Sequence, residues 1–343
     1  MDIQQLSHTA EELVTPGKGI LAADESSGTI KKRFDSIDVE STEENRRNYR
    51  ELLFRTPGVG EYISGIILYD ETLRQKSVNG TPLVKVIQDQ GVIPGIKVDT
   101  GGKPLAGSSG EQVTEGLDGL RDRLAEYVEL GARFTKWRGI YSIGRGLPSR
   151  YCIEANAHAL ARFAALSQEV GLVPIIEPEV LMDGDHNIRE CFDATETTLR
   201  EVYYQLGHQR VNLEGTLLKP NMILSGKDAL NRAGPEEVAE KTVACLKRTV
   251  PASVPGMVFL SGGQSDDEAT MNLNSINQHA ASVGVPWQLS FSYGRGLQAA
   301  PLKIWRGDAD NVEQTQKMFH QRAYVTGMAR QGKYSPGIEG EQA

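Results

Sequence analysis

Short apolar runs alternate with longer amphipathic stretches through most of the chain. The runs are GILAAD (19–24), YISGIILY (62–69), PGIKV (94–98), FTKWRGIYS (134–142), LVPIIEPE (172–179), EGTLLKPNM (214–222), GMVFLSGG (256–263) and WQLSFSYG (287–294). The first, second, fifth and seventh are nearly continuous, as expected for parallel-sheet strands covered on both faces. Between the runs, helical patterns are predicted near 150–169, 189–206, 235–248, 266–282 and 308–330. A further helix is predicted over 111–131, where Val113, Leu117, Leu120, Leu124 and Val128 recur at three- and four-residue steps and form one buried stripe. Ser41 with Glu44 and Ser265 with Glu268 have capping-box spacing and mark two helix starts.

Eight strands, each followed by helical pattern, predict an α/β protein, a (β/α)8 TIM barrel. Dividing 343 residues among eight units leaves about 40 each, a reasonable size for a barrel with insertions. No Pro-, Gly- or Ser-rich linker divides the chain, so residues 1–333 are read as one domain. Residues 334–343 (YSPGIEGEQA) are read as a short flexible tail. The Gly-rich segment 99–112 reads as a long surface loop between a strand and a helix. An open doubly wound sheet is the alternative. It is disfavoured because no G-x-G-x-x-G follows the first strand, and Gly144-Arg145-Gly146 and Gly294-Arg295-Gly296 lack the third glycine.

Charge and cysteine content narrow the partners. A net charge of −8 makes nucleic acid held by a general electrostatic field a poor candidate, although a cleft can still carry a local positive field. No apolar run reaches the roughly 18 residues of a membrane helix. The start MDIQQLSHTAEELV resembles neither a secretory nor a transit segment. Cys152, Cys191 and Cys245 are widely spaced and odd in number, so they read as free thiols in a reducing compartment. The expected location is the cytoplasm.

The candidate chemistry lies in where the charges fall. Active sites of barrels form at the C-terminal strand ends. Here Asp24 closes the first strand and Lys97 the third. Lys136 and Arg138 lie on the fourth, Glu177 and Glu179 on the fifth, and Lys219 on the sixth. Each same-strand pair is two residues apart and therefore shares a face. A lone strand lysine usually rests at an end with its ammonium in water, but so many ionisable groups at one end of successive strands argue for a site. Lys219 is the sharpest residue. It follows an apolar run and precedes Pro220, which biases it toward extended backbone. Desolvation at a barrel mouth and repulsion by Lys136 would favour its neutral amine, the form that attacks a carbonyl to make a Schiff base. Glu177, Glu179 and Asp24 would shuttle the protons. The two glutamates could equally hold lysines in place by ion pairing.

Strands seven and eight end in Ser261-Gly262-Gly263 and Ser292-Tyr293-Gly294-Arg295. Small residues expose main-chain amides there, and barrels often bind phosphate at this point. Arg295 adds a fork of donors. Lys97 and Arg138 fall on the opposite part of the mouth, so a substrate phosphorylated at both ends is the expected ligand. The six histidines are scattered without H-x-H or H-E-x-x-H, and Asp183-Gly184-Asp185-His186 reads as a polar turn, so no metal and no cofactor are expected.

GILAADESSGTIKKR, GIKVD, KWRG, IIEPE, LLKPNM, FLSGGQS and SFSYGRGLQ, in that order, resemble the class I, Schiff-base fructose-bisphosphate aldolases. The likeness runs from about Gly17 to about Lys333. It implies a metal-independent glycolytic and gluconeogenic barrel enzyme of the cytosol, a homo-oligomer with the tetramer favoured, acting on phosphorylated ketoses and triose phosphates. It implies Lys219 as the imine-forming amine and Glu177 as acid and base in carbinolamine dehydration. Asp24 would take the C4 hydroxyl proton, with Lys136 and Glu179 in support. Ser261, Gly262, Gly294 and Arg295 would hold the C1 phosphate, Lys97 and Arg138 the C6 phosphate, and Arg33 would face a phosphate too. Familiar animal members carry a longer tail ending in a tyrosine that assists proton exchange at the enamine carbon. Here the sequence stops at Ala343 without one, which implies that Glu179 or water does that job, or that the step is slower. A transaldolase-like enzyme shares the lysine chemistry but has little need for two phosphate sites. An idle scaffold barrel is the reading from another class.

Overall fold

The computed structural model describes residues 2–339. Eight parallel strands close into a barrel in chain order: β1 (Gly19–Ala23), β2 (Ile63–Leu68), β3 (Ile93–Lys97), β4 (Phe134–Tyr141), β5 (Val173–Val180), β6 (Leu217–Leu218), β7 (Gly256–Phe259) and β8 (Gln288–Tyr293). Each lies within one of the eight apolar runs, apart from the first residue of β3 and the last of β5. The helices are α1 (Ile3–Leu13), α2 (Ser27–Asp35), α3 (Glu43–Phe54), α4 (Asp70–Arg74), α5 (Leu83–Asp89), α6 (Leu120–Glu129), α7 (Arg150–Glu169), α8 (Ile188–His208), α9 (Pro235–Thr249), α10 (Asp266–Val283), α11 (Arg295–Trp305) and α12 (Val312–Arg330). Among the described residues, no helix is long and apolar enough to cross a membrane. All three cysteines are buried free thiols.

Strand alternation sorts the residues into two layers. Leu21, Ile66, Ile96, Trp137, Ile176, Leu218, Met257 and Phe291 face outward into the main core beneath the helices. Ile20, Ala22, Ile67, Phe134, Val173, Ile175, Leu217 and Val258 face the lumen, where Leu6, Ala10 and Leu13 of α1 pack against them. α1 therefore plugs the N-terminal end of the barrel. Asp2 starts it, its carboxylate accepting from the Gln4 and Gln5 amides at 3.0 and 3.2 Å.

Three local expectations are corrected. Helix α6 begins at Leu120, not near residue 111, because Gly116 (φ 128°) and Gly119 (φ 64°) break the periodic segment. Val113 lies in a strand instead, and Val128 is exposed. Segment 99–112 is not irregular throughout: Gly101–Pro104 pairs antiparallel with Gln112–Glu115 in a hairpin. At α3 the cap is Thr42, whose hydroxyl accepts from the Asn45 amide at 3.1 Å, one residue beyond Ser41. Ser265 does cap α10, accepting from the Glu268 amide at 3.1 Å. Of the terminal segment, Tyr334–Glu339 lies against α12, with Ile338 O accepting from Gln321 Nε2 at 3.2 Å. Residues 340–343 lie outside the described residues.

The lumen depends on glycines opposite one large ring. A Cβ on Gly95 would lie 2.3 Å from Phe134, and one on Gly65 would meet Leu13 at 2.7 Å and Phe134 at 3.1 Å. We expect Gly95→Ala to destabilise the protein by about 1–3 kcal/mol through overpacking, read as a lower urea midpoint at unchanged slope. Adding Phe134→Leu to that variant should restore part of the loss.

Candidate active site

The inward alternation that makes the lower lumen apolar makes its upper end ionic. Along β4, Lys136 and Arg138 continue the face begun by Phe134. Along β5, Glu177 and Glu179 continue the face of Val173 and Ile175. Register places Lys97 beside Lys136, Arg138 beside Glu177, and Ile140 beside Glu179. Lys219 follows β6 directly. Its amide donates to Ile176 O at 2.7 Å, which continues the β5–β6 pairing one residue past Leu218 and aims the side chain inward like that of Leu217.

These groups meet. Lys136 Nζ lies 2.6 Å from Asp24 Oδ2 and 3.2 Å from Glu177 Oε2, and Lys219 Nζ lies 3.4 Å from Glu177 Oε1. Glu177 thus bridges the two lysines with its two oxygens. Lys136, Glu177 and Lys219 are each only 4% exposed. At Asp24, Glu177 and Lys136 burial opposes charge and the neighbours win. The Asp24 carboxyl is held well below the usual range by Lys136 and then Lys219, despite burial. Glu177 is lowered against its burial by Lys136, Lys219 and Arg138. Lys136 is raised against its burial by Asp24 and Glu177. Asp24 and Glu177 are therefore carboxylates, and Lys136 an ammonium, at neutral pH.

Glu179 plays a different part from Glu177. Its Oε2 accepts from Arg138 Nε and fixes that guanidinium in the mouth. Asp99 anchors the same side. Its Oδ1 lies 3.3 Å from Lys97 Nζ and accepts from the Gly101 amide at 3.2 Å, while Oδ2 accepts from the Arg138 amide at 3.3 Å. The hairpin is thereby tied to β3 and β4, with Gly101 and Gly102 in the cleft wall.

The residues surround one cleft of about 620 Å³. Asp24, Arg33, Lys97, Lys136, Arg138, Glu177, Glu179, Lys219, Ser261, Gly262, Ser292, Gly294 and Arg295 all line it. Gly263 does not. It stands one residue beyond Gly262 and is exposed, and a Cβ there would lie 3.8 Å from Arg295 Nη2. Gly294 is the N-cap of α11, which turns a helix N-terminus toward the cleft beside Arg33 and Arg295. That is an anion-binding arrangement. The sequence reading missed Glu25, Ser26, Thr29, Lys32 and Ser36, which extend this wall along α2, and gave no role to Asp99. All but Ser36 lie inside the motifs ADESSGTIKKR and GIKVD, and Ser36 follows the first by three residues.

A family model described as fructose-bisphosphate aldolase class-I matches residues 5–343. The chain belongs to this family. A "Probable fructose-bisphosphate aldolase class 1" of Xanthomonas campestris pv. campestris is 57% identical over 335 residues, covering 97% of this chain and 99% of the relative. "Fructose-bisphosphate aldolase 4, cytosolic" of Arabidopsis thaliana is 55% identical over 330 residues, covering 96% and 84%. A solved structure of fructose-bisphosphate aldolase from Plasmodium falciparum, in complex with TRAP and a small molecule inhibitor, superposes with a TM-score of 0.96 at 48% identity, covering 98% and 96%. Family membership accords with the barrel and with a lysine in its mouth.

The charge cluster should be visible in stability. Depressed carboxylates stabilise the fold above their ordinary pKa, and that stability is lost as pH falls through the lowered values. A raised lysine stabilises below its ordinary pKa, and that stability is lost at alkaline pH. Lys136→Met leaves Asp24 without its closest cation. We expect a loss of about 3–5 kcal/mol at pH 7 that shrinks toward pH 4, where the orphaned carboxyls take up protons. Urea unfolding at pH 4, 5.5 and 7 checks both the size and the sign.

Proposed function

We propose that this cleft performs the reversible aldol cleavage of fructose 1,6-bisphosphate to dihydroxyacetone phosphate and glyceraldehyde 3-phosphate, in glycolysis and gluconeogenesis, with Lys219 as the Schiff-base amine. One observation carries the reading. A buried lysine shares a buried glutamate with a second lysine, and that cluster sits between two basic walls of a single cleft.

Lys219 Nζ attacks the ketone carbon, and its lone pair becomes the new C–N bond. Glu177, whose Oε1 faces Nζ, takes one proton from Nζ to free that lone pair. After attack a second proton passes from nitrogen to the ketone oxygen, and Glu177 returns the first to the resulting hydroxyl, which leaves as water. The resulting iminium is an electron sink. Asp24, ionised and opposite, takes the C4 hydroxyl proton; the C3–C4 electron pair moves into the iminium, giving an enamine on Lys219 and free glyceraldehyde 3-phosphate. Protonating the enamine carbon and hydrolysing the imine releases dihydroxyacetone phosphate. Lys136 cannot supply a free amine for attack, because Asp24 and Glu177 hold it as an ammonium. Its role is to fix both carboxylates and stabilise the charge that develops between them. Ser261, Gly262, Ser292, Gly294 and Arg295 are assigned to one phosphate, with Gly263 behind them. Lys97 and Arg138 are assigned to the other, Arg138 steadied by Glu179, and Arg33 faces the phosphate-binding wall.

The domain reading stays with this proposal: one catalytic barrel over 1–333 and a terminal segment, 334–343, outside it. We also place the protein in the cytoplasm, supported by the three Arabidopsis relatives named as cytosolic. A homo-oligomer, with the tetramer favoured, is the assembly the family likeness suggests, and light scattering after size exclusion would test it.

Borohydride reduction in the presence of dihydroxyacetone phosphate should place a substrate-sized adduct on Lys219, mapped by peptide mass, with no change after EDTA treatment. Lys219→Met should abolish the adduct and lower kcat/KM by at least about 10³-fold. An adduct on another lysine, or none in a folded sample that binds phosphate, would overturn the assignment.

A further inference from the structure

A line of alternating charge runs from the outer face of α3 to the wall of the cleft. Arg46 on α3 grips Glu71 on α4, with Nε donating to Oε2 at 2.8 Å and Nη2 to Oε1. One turn along α3, Arg50 Nη1 lies 3.5 Å from the same Glu71 and donates to Thr72 Oγ1 at 2.8 Å. Arg50 Nη2 then donates to the Glu25 carbonyl at 2.7 Å and stands 3.9 Å from Glu25 Oε2. Glu25 Oε1 accepts from Arg33 Nη1, and from Gln298 Nε2 at 3.0 Å. Gln298 Nε2 in turn bonds to Ala22 O at 2.7 Å. Arg33 is the last member, and it lines the cleft with Glu25, Lys32 and Arg295. Its free arm reaches the anion-binding corner: a Cβ on Gly294 would lie 3.6 Å from Arg33 Nη2.

Arg50 is the unusual link, a guanidinium only 1% exposed. Stability alone gives little reason to bury it, since a well-packed apolar side chain often serves a fold as well as a buried ion pair. The destination of the line supplies the reason. Arg33 rides on a nine-residue helix at the rim and has many rotamers to lose. A carboxylate locked from behind removes most of them before substrate arrives, so less ordering remains to be done on binding. Glu25 can do this only if it is itself held still in its buried place, and Arg50, which donates to its carbonyl, and Gln298, which donates to its Oε1, hold it there.

We propose that Arg50 is a positioning residue for a substrate phosphate, acting through Glu25 to hold the Arg33 guanidinium at the mouth of the cleft. This deepens the aldolase reading and rests on it for the identity of the phosphorylated ligand. Arg50 touches neither ligand nor reacting atoms, so its loss should weaken phosphate capture and spare imine chemistry.

The test compares Arg50→Met and Arg50→Lys with the parent protein. Arg50→Met should raise KM for fructose 1,6-bisphosphate by about 10- to 100-fold, with kcat within about 3-fold. The Kd for inorganic phosphate, measured by calorimetry, should rise in parallel. Borohydride trapping of unphosphorylated dihydroxyacetone on Lys219 should stay at the parent level. Arg50→Lys, which keeps the charge but loses the fork, should show a smaller rise in KM. An unchanged KM and phosphate Kd in folded Arg50→Met would overturn the proposal. So would a joint fall of kcat and dihydroxyacetone trapping, which marks general disruption. Should Arg50→Met not fold, Arg50→Lys alone decides: a rise in KM and phosphate Kd with kcat and dihydroxyacetone trapping kept supports the proposal, and unchanged values overturn it. Failure of the parent protein to trap either ketone would instead sink the aldolase reading, and the phosphate Kd would still decide the role of Arg50.

Discussion

The ammonium of Lys136 is the group on which the upper half of the barrel depends. Two carboxylates, Asp24 and Glu177, sit almost without solvent at the strand ends, and neither could stay ionised there alone. Lys136 reaches both, at 2.6 and 3.2 Å, and its own charge survives burial only because they answer it. The three charges hold one another in place, with Lys219 and Arg138 adding to the hold on the carboxylates. The arrangement also divides labour between the two lysines. Lys136 is committed to two carboxylates, whereas Lys219 meets one oxygen of Glu177 at 3.4 Å. Of two amines in one dry mouth, the less committed one is better suited to form a bond to carbon.

This ionic set is possible because the other end of the lumen is closed by ordinary means. α1 presents Leu6, Ala10 and Leu13 to the same inward faces that carry the charges farther up. Gly65 and Gly95 leave room there for the Phe134 ring. β4 shows the transition within one strand: Phe134 packs against the plug, Lys136 binds the two carboxylates, and Arg138 reaches the mouth. Side chains two residues apart pass from apolar core to ion pairs, so one strand carries both kinds of packing.

The eight strands were legible because a strand covered on both faces must be apolar nearly throughout, and polar residues at its C-terminal end then stand out. The cleft followed from the same pattern, since a closed barrel brings all eight ends to one place. Other features left weaker marks. The hairpin after β3 is made largely of glycine and polar residues, and what orders it is Asp99, reaching across to the Arg138 amide, a contact no local pattern encodes. The segment containing Val113 has helical spacing, but two glycines with positive φ override it. Glu25 and Arg50 are far less legible still. A glutamate beside a singled-out aspartate, and an arginine in a helix otherwise rich in charge, look like solvated residues until the fold buries them together.

That last pair bears on how a barrel rim can be made rigid. Loops and short helices carry the binding groups because they can vary, yet binding a dianion demands that they hold still. The Pro220 that follows Lys219, the Glu179 that grips Arg138, and the Glu25 that grips Arg33 are three solutions of increasing reach. The first acts through the backbone of a neighbouring residue. The second acts across one strand pair. The third draws on helices outside the barrel, so that Arg46 and Glu71, partly open to solvent on α3 and α4, stand at the far end of a line whose near end lines the cleft. A cation held by one carboxylate is only as fixed as that carboxylate. Repeating the argument outward ends where side-chain entropy is checked by helix packing, which is why the line terminates on α3 and α4 and not within the rim itself.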